Sequence, residues 1–237
     1  MRPLLRTTRS ADALNIMLTA VEDFLPQDGM TYIEPFCGLA EIPFELELGN
    51  CSLNDNNPYI INLYRWVKSG KFLENDWLIT QKTDLNNWAK NRTKFNKLVS
   101  KGTIDTVEVA QLTFYLSHIS RFCNYGTNGA FIGVHDPDGE LPDIDWDAAA
   151  ALMQNWELSL GEYTDFAVAE SDTLVVNAPP IYVQQWNNVA WDTSDHQALF
   201  DWLESRSGRA IVFHRKRSVI QKLYADWTEG DRVFQVV

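Results

Sequence analysis

The chain has few cysteines, few histidines and no long apolar run. Three cysteines occur in 237 residues, at 37, 51 and 123, and no two form a C-x-x-C pair. That odd, scattered set excludes a disulfide framework and fits free thiols in a reducing, cytoplasmic setting. The histidines, His118, His135, His196 and His214, stand apart in sequence, with no H-E-x-x-H and no metal-spaced partners. No metal site is predicted, and each histidine reads as structural or surface. No stretch of eighteen apolar residues exists, so no membrane span is predicted. The N-terminus, "MRPLLRTTRSADALNIM", is basic, but polar residues interrupt its apolar stretch, so it does not read as a signal peptide. A P-loop, internal repeats and low-complexity tracts are also absent.

Positive charge is scarce as well. Lys and Arg number 20 against 32 Asp and Glu, a net charge of −12. Such a chain is repelled by bulk nucleic acid, so any contact with DNA must come from local basic patches. Two exist. "KNRTKFNKLVSK" holds Lys90, Arg92, Lys94, Lys97 and Lys101 without an intervening acid, and positions 90, 94, 97 and 101 share one helical face. "HRKR" holds Arg215, Lys216 and Arg217. A solvated charged face is the other reading of both patches. Hydrophobic residues make up 45% of the chain and nine are tryptophan, enough for one large domain or a core domain with an insertion.

Periodicity predicts an α/β sheet. "TYIEPF" (31–36) reads as a buried strand that ends in the small-residue turn "CGLAE", and "CSLND" (51–55) as a second. "NPYIINLYRWVKSG" (57–70) reads as a helix with Pro58 near its start and Gly70 past its end. Residues 71–145 lack buried-strand signals and read as a helical insertion, with a main helix over 103–122 followed by a Gly/Asn/Asp-rich loop. A helix over 145–157 and a strand "TLVVN" (173–177) return to the core. A helix over 194–208 follows, with Ser194 as its predicted N-cap and Gly208 as its stop. "RAIVFH", "RSVIQKLYADW" and "RVFQVV" then read as strand, helix and closing strand. This alternation predicts a mostly parallel, Rossmann-like sheet formed by 1–70 and 146–237, with ligands at the carboxyl ends of its strands.

Three strand ends carry the candidate site. The first holds Glu34, Phe36 and Gly38, the second Asp55, and the later one Asn177. A glycine after the first strand lets a ligand approach the backbone, and an acid after the second suits ribose hydroxyls or a helix cap.

The order and spacing of these residues resemble the Dam-type DNA adenine-N6 methyltransferases. "YIEPFCGLAEIPFELELGNCSLNDNNPYIINLYRWVK" is similar to that family's first block, in which an acid-Pro-Phe-x-Gly turn holds S-adenosylmethionine. "YTDFAVAESDTLVVNAPP" resembles the second, in which an Asp-Phe pair precedes the catalytic D-P-P-Y tetrapeptide. Asn177-Ala178-Pro179-Pro180 falls on the tetrapeptide, with Asp165 and Phe166 twelve and eleven residues before Asn177. The resemblance implies a Rossmann-like S-adenosylmethionine-dependent fold with 71–145 as a helical target-recognition insertion. It implies a donor pocket of Glu34, Phe36 and Gly38, with Asp55 at the ribose and Asp165 and Phe166 at the adenine. Arg9 in "LLRTTRSA" falls where the family carries a lysine.

Transfer to adenine N6 in DNA is the implied activity. The family's mechanism extrudes the base and binds its amine between the side-chain oxygen of the first tetrapeptide residue and the carbonyl of the second. Asn177 and Ala178 keep both acceptors. Pro180 lacks the ring that would stack on the base, and Tyr182 and Trp186 are nearby candidates to replace it. Gly129-Ala130-Phe131 remains of the recognition loop, with Arg121 or Asn124 in place of its arginine. His214-Arg215 replaces a Ser-Asn-like pair, and on this frame both basic patches lie on sides able to meet DNA. The alternative is a catalytically inactive homologue that binds DNA, cofactor or a protein. A third reading keeps the cofactor and moves the methyl group to another acceptor. Oligomeric state is left open.

Overall fold

The computed structural model describes residues 1, 3–6, 9–25, 31–121, 125, 128–170, 172–181 and 190–237. Seven strands form one sheet: β1 (Tyr32–Glu34), β2 (Cys51–Asp55), β3 (Glu157–Leu160), β4 (Leu174–Asn177), β5 (Ala210–His214), β6 (Thr228–Glu229) and β7 (Arg232–Val236). Their order is β3-β2-β1-β4-β5-β7-β6. The first six in that order are parallel, and β6 pairs antiparallel with β7 as a short closing hairpin. This is a Rossmann-like, mostly parallel sheet.

The sequence explains most of these strands. Every residue of β1 and β5 is buried, as expected of strands covered on both faces. Side chains alternate between two cores. Val175, Ile211 and Phe213 face one, while Leu174, Val176 and Val212 face the other. Strand β3 had no counterpart in the periodicity, because "ELSL" lies at the sheet's edge and none of its residues is buried.

Eight α-helices accompany the sheet among the described residues: α1 (Ala11–Phe24), α2 (Glu41–Glu45), α3 (Pro58–Lys68), α4 (Leu85–Val99), α5 (Val107–His118), α6 (Trp146–Leu152), α7 (Thr193–Glu204) and α8 (Ser218–Leu223). Asn57 caps α3 by accepting from the Tyr59 amide at 3.0 Å, with Pro58 in its first turn. The predicted Ser194 cap of α7 is corrected to Asp192. Its carboxylate accepts from Ser194 N at 2.7 Å, and the Asp195 side chain accepts in return from Asp192 N at 2.8 Å. A full charge at the helix's positive end outcompetes a hydroxyl there. The 103–122 helix is shorter than expected, because Thr106 caps α5 through Val109 N.

The described residues of 71–145 contribute no strand to the sheet. Leu112 and Phe114 of α5 and Phe95 of α4 share one core cluster with Ile61 and Tyr64 of α3. Two isolated bridges, Ser120↔His135 and Tyr125↔Phe131, fold the following segment back on itself.

The chain runs β1 to β3 toward one edge and restarts at β4 on the other side of β1. Between β1 and β4 a single pair, Ile33↔Leu174, is in register. The reversal of strand order makes the carboxyl ends of β1 and β4 the topological switch point, where a crevice is expected.

Candidate active site

A cleft of about 920 Å³ occupies that crevice. Its floor is the turn after β1. Glu34 is 2% exposed and accepts from the Tyr32 hydroxyl at 2.9 Å. Burial pushes its carboxyl well above the usual range, against the pull of Tyr32 and Arg9. Gly38 adopts φ +45°, a conformation that glycine takes at no steric cost. Its N–H donates to Asp55 Oδ2 at 2.8 Å, and its carbonyl accepts from the Tyr64 hydroxyl at 2.8 Å. A Cβ at Gly38 would meet no atom within 4 Å, so the turn leaves an open cradle there.

The Asn54-Asp55 pair braces the turn from β2. Asn54 Nδ2 donates to the carbonyls of Pro35 at 3.1 Å and Gly161 at 3.0 Å, tying together the ends of three strands. Asp55 accepts from Asn57 N at 2.8 Å in addition to Gly38, and burial raises its carboxyl. Asp55 therefore lines the cleft and braces the turn, while the cap of α3 belongs to Asn57.

The tetrapeptide forms the opposite wall, where Asn177, Ala178, Pro179 and Pro180 all line the cleft. Asn177 Oδ1 accepts from Arg9 Nη2 at 3.2 Å, and Arg9 Nε pairs with Glu41 Oε2 at 3.1 Å. The Ala178 amide donates to the Phe213 carbonyl at 3.3 Å, which ties the segment to β5.

Behind the tetrapeptide, His196 and His214 are 0% and 3% exposed, with ring centroids 4.9 Å apart. His214 Nδ1 lies 2.6 Å from the Arg215 carbonyl and so carries the ring proton. Burial first and His214 second press His196 down to about 4, and burial lowers His214 as well. The Pro179 carbonyl favours the charged form of both rings, but His196 Nδ1 and Nε2 and His214 Nε2 complete no hydrogen bond. The expectation that the four histidines stand apart is thus corrected for this pair. His118 and His135 are structural, with Nε2 against the carbonyls of Leu4 at 2.9 Å and Thr83 at 2.8 Å.

Three rings form an aromatic wall. Phe36 lies 5.2 Å from Tyr163 and 5.4 Å from Trp191, and all three line the cleft. Trp191 reaches it through a parallel bridge to Ile181, directly after Pro180.

The fold thus brings together Arg9, Glu34, Phe36, Gly38, Asp55, Arg215 and the tetrapeptide. It does not bring in Asp165, which is exposed, or Phe166, which is buried in the second core. Glu162 and Tyr163 of the same turn line the cleft instead. Lys90, Lys97 and Lys101 are exposed on α4 or just beyond it, as are Lys216 and Arg217 after β5. Lys94 pairs with Glu108, and Arg92 stacks 4.7 Å over Trp88. Arg121 pairs with Asp136 at 3.5 Å. Asn124, Tyr182 and Trp186 lie outside the described residues.

Sequence reasoning missed Glu41, Tyr163, Trp191 and the histidine pair. Glu41 was visible in "CGLAE", but an acid at a helix start ordinarily reads as a partner of the helix dipole.

No curated protein sequence matches the chain. A model of the D12 class N6 adenine-specific DNA methyltransferases matches residues 17–231, from α1 to the hairpin before β7. With the turn after β1, Asp55 and the tetrapeptide converging on one cleft inside that span, the chain belongs to the D12 class N6 adenine-specific DNA methyltransferase family.

Proposed function

We propose that the chain binds S-adenosylmethionine over the carboxyl ends of β1 and β2 and transfers its methyl group to N6 of an adenine in DNA. The observation that carries this reading is the convergence of the Glu34–Gly38 turn, Asp55 and Asn177–Pro180 on one cleft. Its volume, about 920 Å³, is in the range for a ligand of that size. The open cradle at Gly38 and the buried, unpartnered Oε1 of Glu41 support the fit of a cationic donor.

When bound, the donor supplies an electrophilic methyl group on a cationic sulfur. The residues of this chain do the rest. Asp55 accepts from the ribose hydroxyls, and Phe36 with Tyr163 covers the donor's adenine. Phe166 anchors the turn that carries Tyr163, with Asp165 at its outer side. Asn177 Oδ1 and the Ala178 carbonyl accept from the target amine and stabilise the positive charge that develops on nitrogen. Trp191 supplies the ring that Pro180 lacks.

Residues 71–145 serve as the target-recognition part. Lys90, Arg92, Lys94, Lys97, Lys101 and Arg121 face DNA from that side, and Arg215, Lys216 and Arg217 from the end of β5. These patches provide the local attraction that a chain of net charge −12 needs.

One contact favours a second reading, donor and DNA binding without turnover. Arg9 donates to Asn177 Oδ1, the atom that the amine would use. A single experiment separates the two. Purified protein is incubated with labelled S-adenosylmethionine and unmethylated DNA, and the digested nucleosides are analysed by mass spectrometry. N6-methyladenine from wild type, and at least a hundredfold less from Asn177→Ala, is the expected result; one oxyanion-type contact is commonly worth about 10²–10³ in rate. Donor binding without transfer to any DNA overturns the catalytic reading in favour of the second.

A further inference from the structure

Glu41 is 5% exposed and lines the cleft at the start of α2. Its Oε2 pairs with Arg9 at 3.1 Å, while its Oε1 is buried and has no hydrogen-bond partner. A buried carboxylate oxygen without a donor is costly, so the site lacks a cation or an N–H group at that point. No protein group supplies one, and the oxygen belongs to a residue that faces the ligand space. Arg9, its ion-pair partner, faces the same space. A cation and an anion thus stand side by side at the mouth of the donor turn, the complement of a free amino acid's own two charges.

We infer that Glu41 and Arg9 form the seat for the amino-acid end of the methyl donor, with Glu41 Oε1 receiving the α-ammonium group and the Arg9 guanidinium the α-carboxylate. This rests on the reading of the cleft as a donor site and assigns Glu41 a role in it. A zwitterion docked on an ion pair satisfies both charges of each partner without adding net charge to a buried place. The ammonium completes the orphaned oxygen. The carboxylate competes with Asn177 for Arg9, so a seated donor leaves Asn177 Oδ1 open for the target amine.

The test compares two ligands that share the adenosine part. S-Adenosylhomocysteine carries the amino-acid end, and 5′-methylthioadenosine lacks it. Calorimetry on the wild type is expected to show tighter binding of S-adenosylhomocysteine. Glu41→Gln is expected to weaken S-adenosylhomocysteine by about 10- to 100-fold, the range for a charge-assisted hydrogen bond, and to leave 5′-methylthioadenosine unchanged. Circular dichroism confirms that the variant is folded, and Glu41→Asp repeats the comparison with the charge retained on a shorter arm. Equal weakening of both ligands, or of neither, in folded Glu41→Gln overturns the inference while leaving the donor site intact. If the wild type binds neither ligand, the donor reading itself falls, and this inference with it.

Discussion

Pro180 has no ring, so the stacking surface for an extruded base must come from elsewhere in the cleft. Trp191 fits that requirement best. The bridge between Ile181 and Trp191 places Trp191 beside the residue that follows the tetrapeptide. The indole is held on two sides, edge-on to Phe36 at 5.4 Å and to His196 at 5.3 Å. A ring fixed in this way loses little freedom when a base stacks on it. Trp191→Ala is therefore expected to weaken binding of a 2-aminopurine-substituted DNA by about 10- to 100-fold, the worth of one base–aromatic stack. Trp191→Phe should recover most of that loss, and affinity for S-adenosylhomocysteine should not change. Fluorescence titration reads the first two and calorimetry the third. A loss confined to S-adenosylhomocysteine would move Trp191 to the donor side of the cleft.

At the scale of elements, the segment that contains the Tyr125↔Phe131 bridge is held by side chains of two helices. Asn96 of α4 donates to the Phe131 carbonyl at 3.1 Å and accepts from its amide at 2.7 Å. Tyr59 of α3 donates to the Gly129 carbonyl at 2.8 Å. Gly129 sits at φ +76°, and a Cβ there would lie 2.2 Å from the Tyr59 hydroxyl. Tyr59 cannot retreat, because Phe95 and Tyr125 pack against its ring at 5.1 and 4.9 Å. Gly129→Ala is expected to cost about 2–3 kcal/mol in urea unfolding, from backbone strain and a broken hydrogen bond. An unchanged midpoint would show that the segment is not anchored there.

The same local rules decide what was legible in advance. β4 and β5 are largely apolar runs because both of their faces are covered, and β1 and β2 are short buried stretches that close on polar residues; all four were readable. β3 at the sheet edge and the two-residue β6 carry too little pattern. In the site, the acid-Pro-Phe turn, Asp55 and the tetrapeptide were readable because each follows its strand directly. Trp191 is fourteen residues past Asn177, and a single bridge brings it back. His196 and His214 belong to a helix and a strand that meet only in the folded chain. In the turn at 163–166, Tyr163 packs at the border of the second core and lines the cleft, while Phe166 is buried within that core.

At the scale of the whole molecule, the parallel sheet gathers ionisable groups at its carboxyl edge and buries them, which favours their neutral forms. For His196 this means that the unfolded chain takes up a proton below about 6.5, while the folded chain resists until about 4. Between those values the unfolded state binds more protons, so stability rises with pH and is lost as pH falls. From pH 7.5 to 5 this one group removes about 2 kcal/mol. For Glu34 and Asp55 the sign is opposite. Burial raises both carboxyls, the folded state holds the extra proton, and stability falls as pH climbs above the ordinary carboxylate range. The two trends overlap, so a single melting curve does not separate them, but variants do. His196→Phe keeps a ring against Trp191 and His214 and discards two nitrogens that make no hydrogen bond. Glu34→Gln keeps an oxygen to accept from Tyr32. The melting temperature at pH 7.5 minus that at pH 5 should shrink in His196→Phe, by ~4–8 °C for a chain of this size. In Glu34→Gln it should grow. Scanning calorimetry of the three proteins at the two pH values measures both differences. Shifts of the same sign in the two variants would mean that burial at the sheet's carboxyl edge does not set the pH response of the fold.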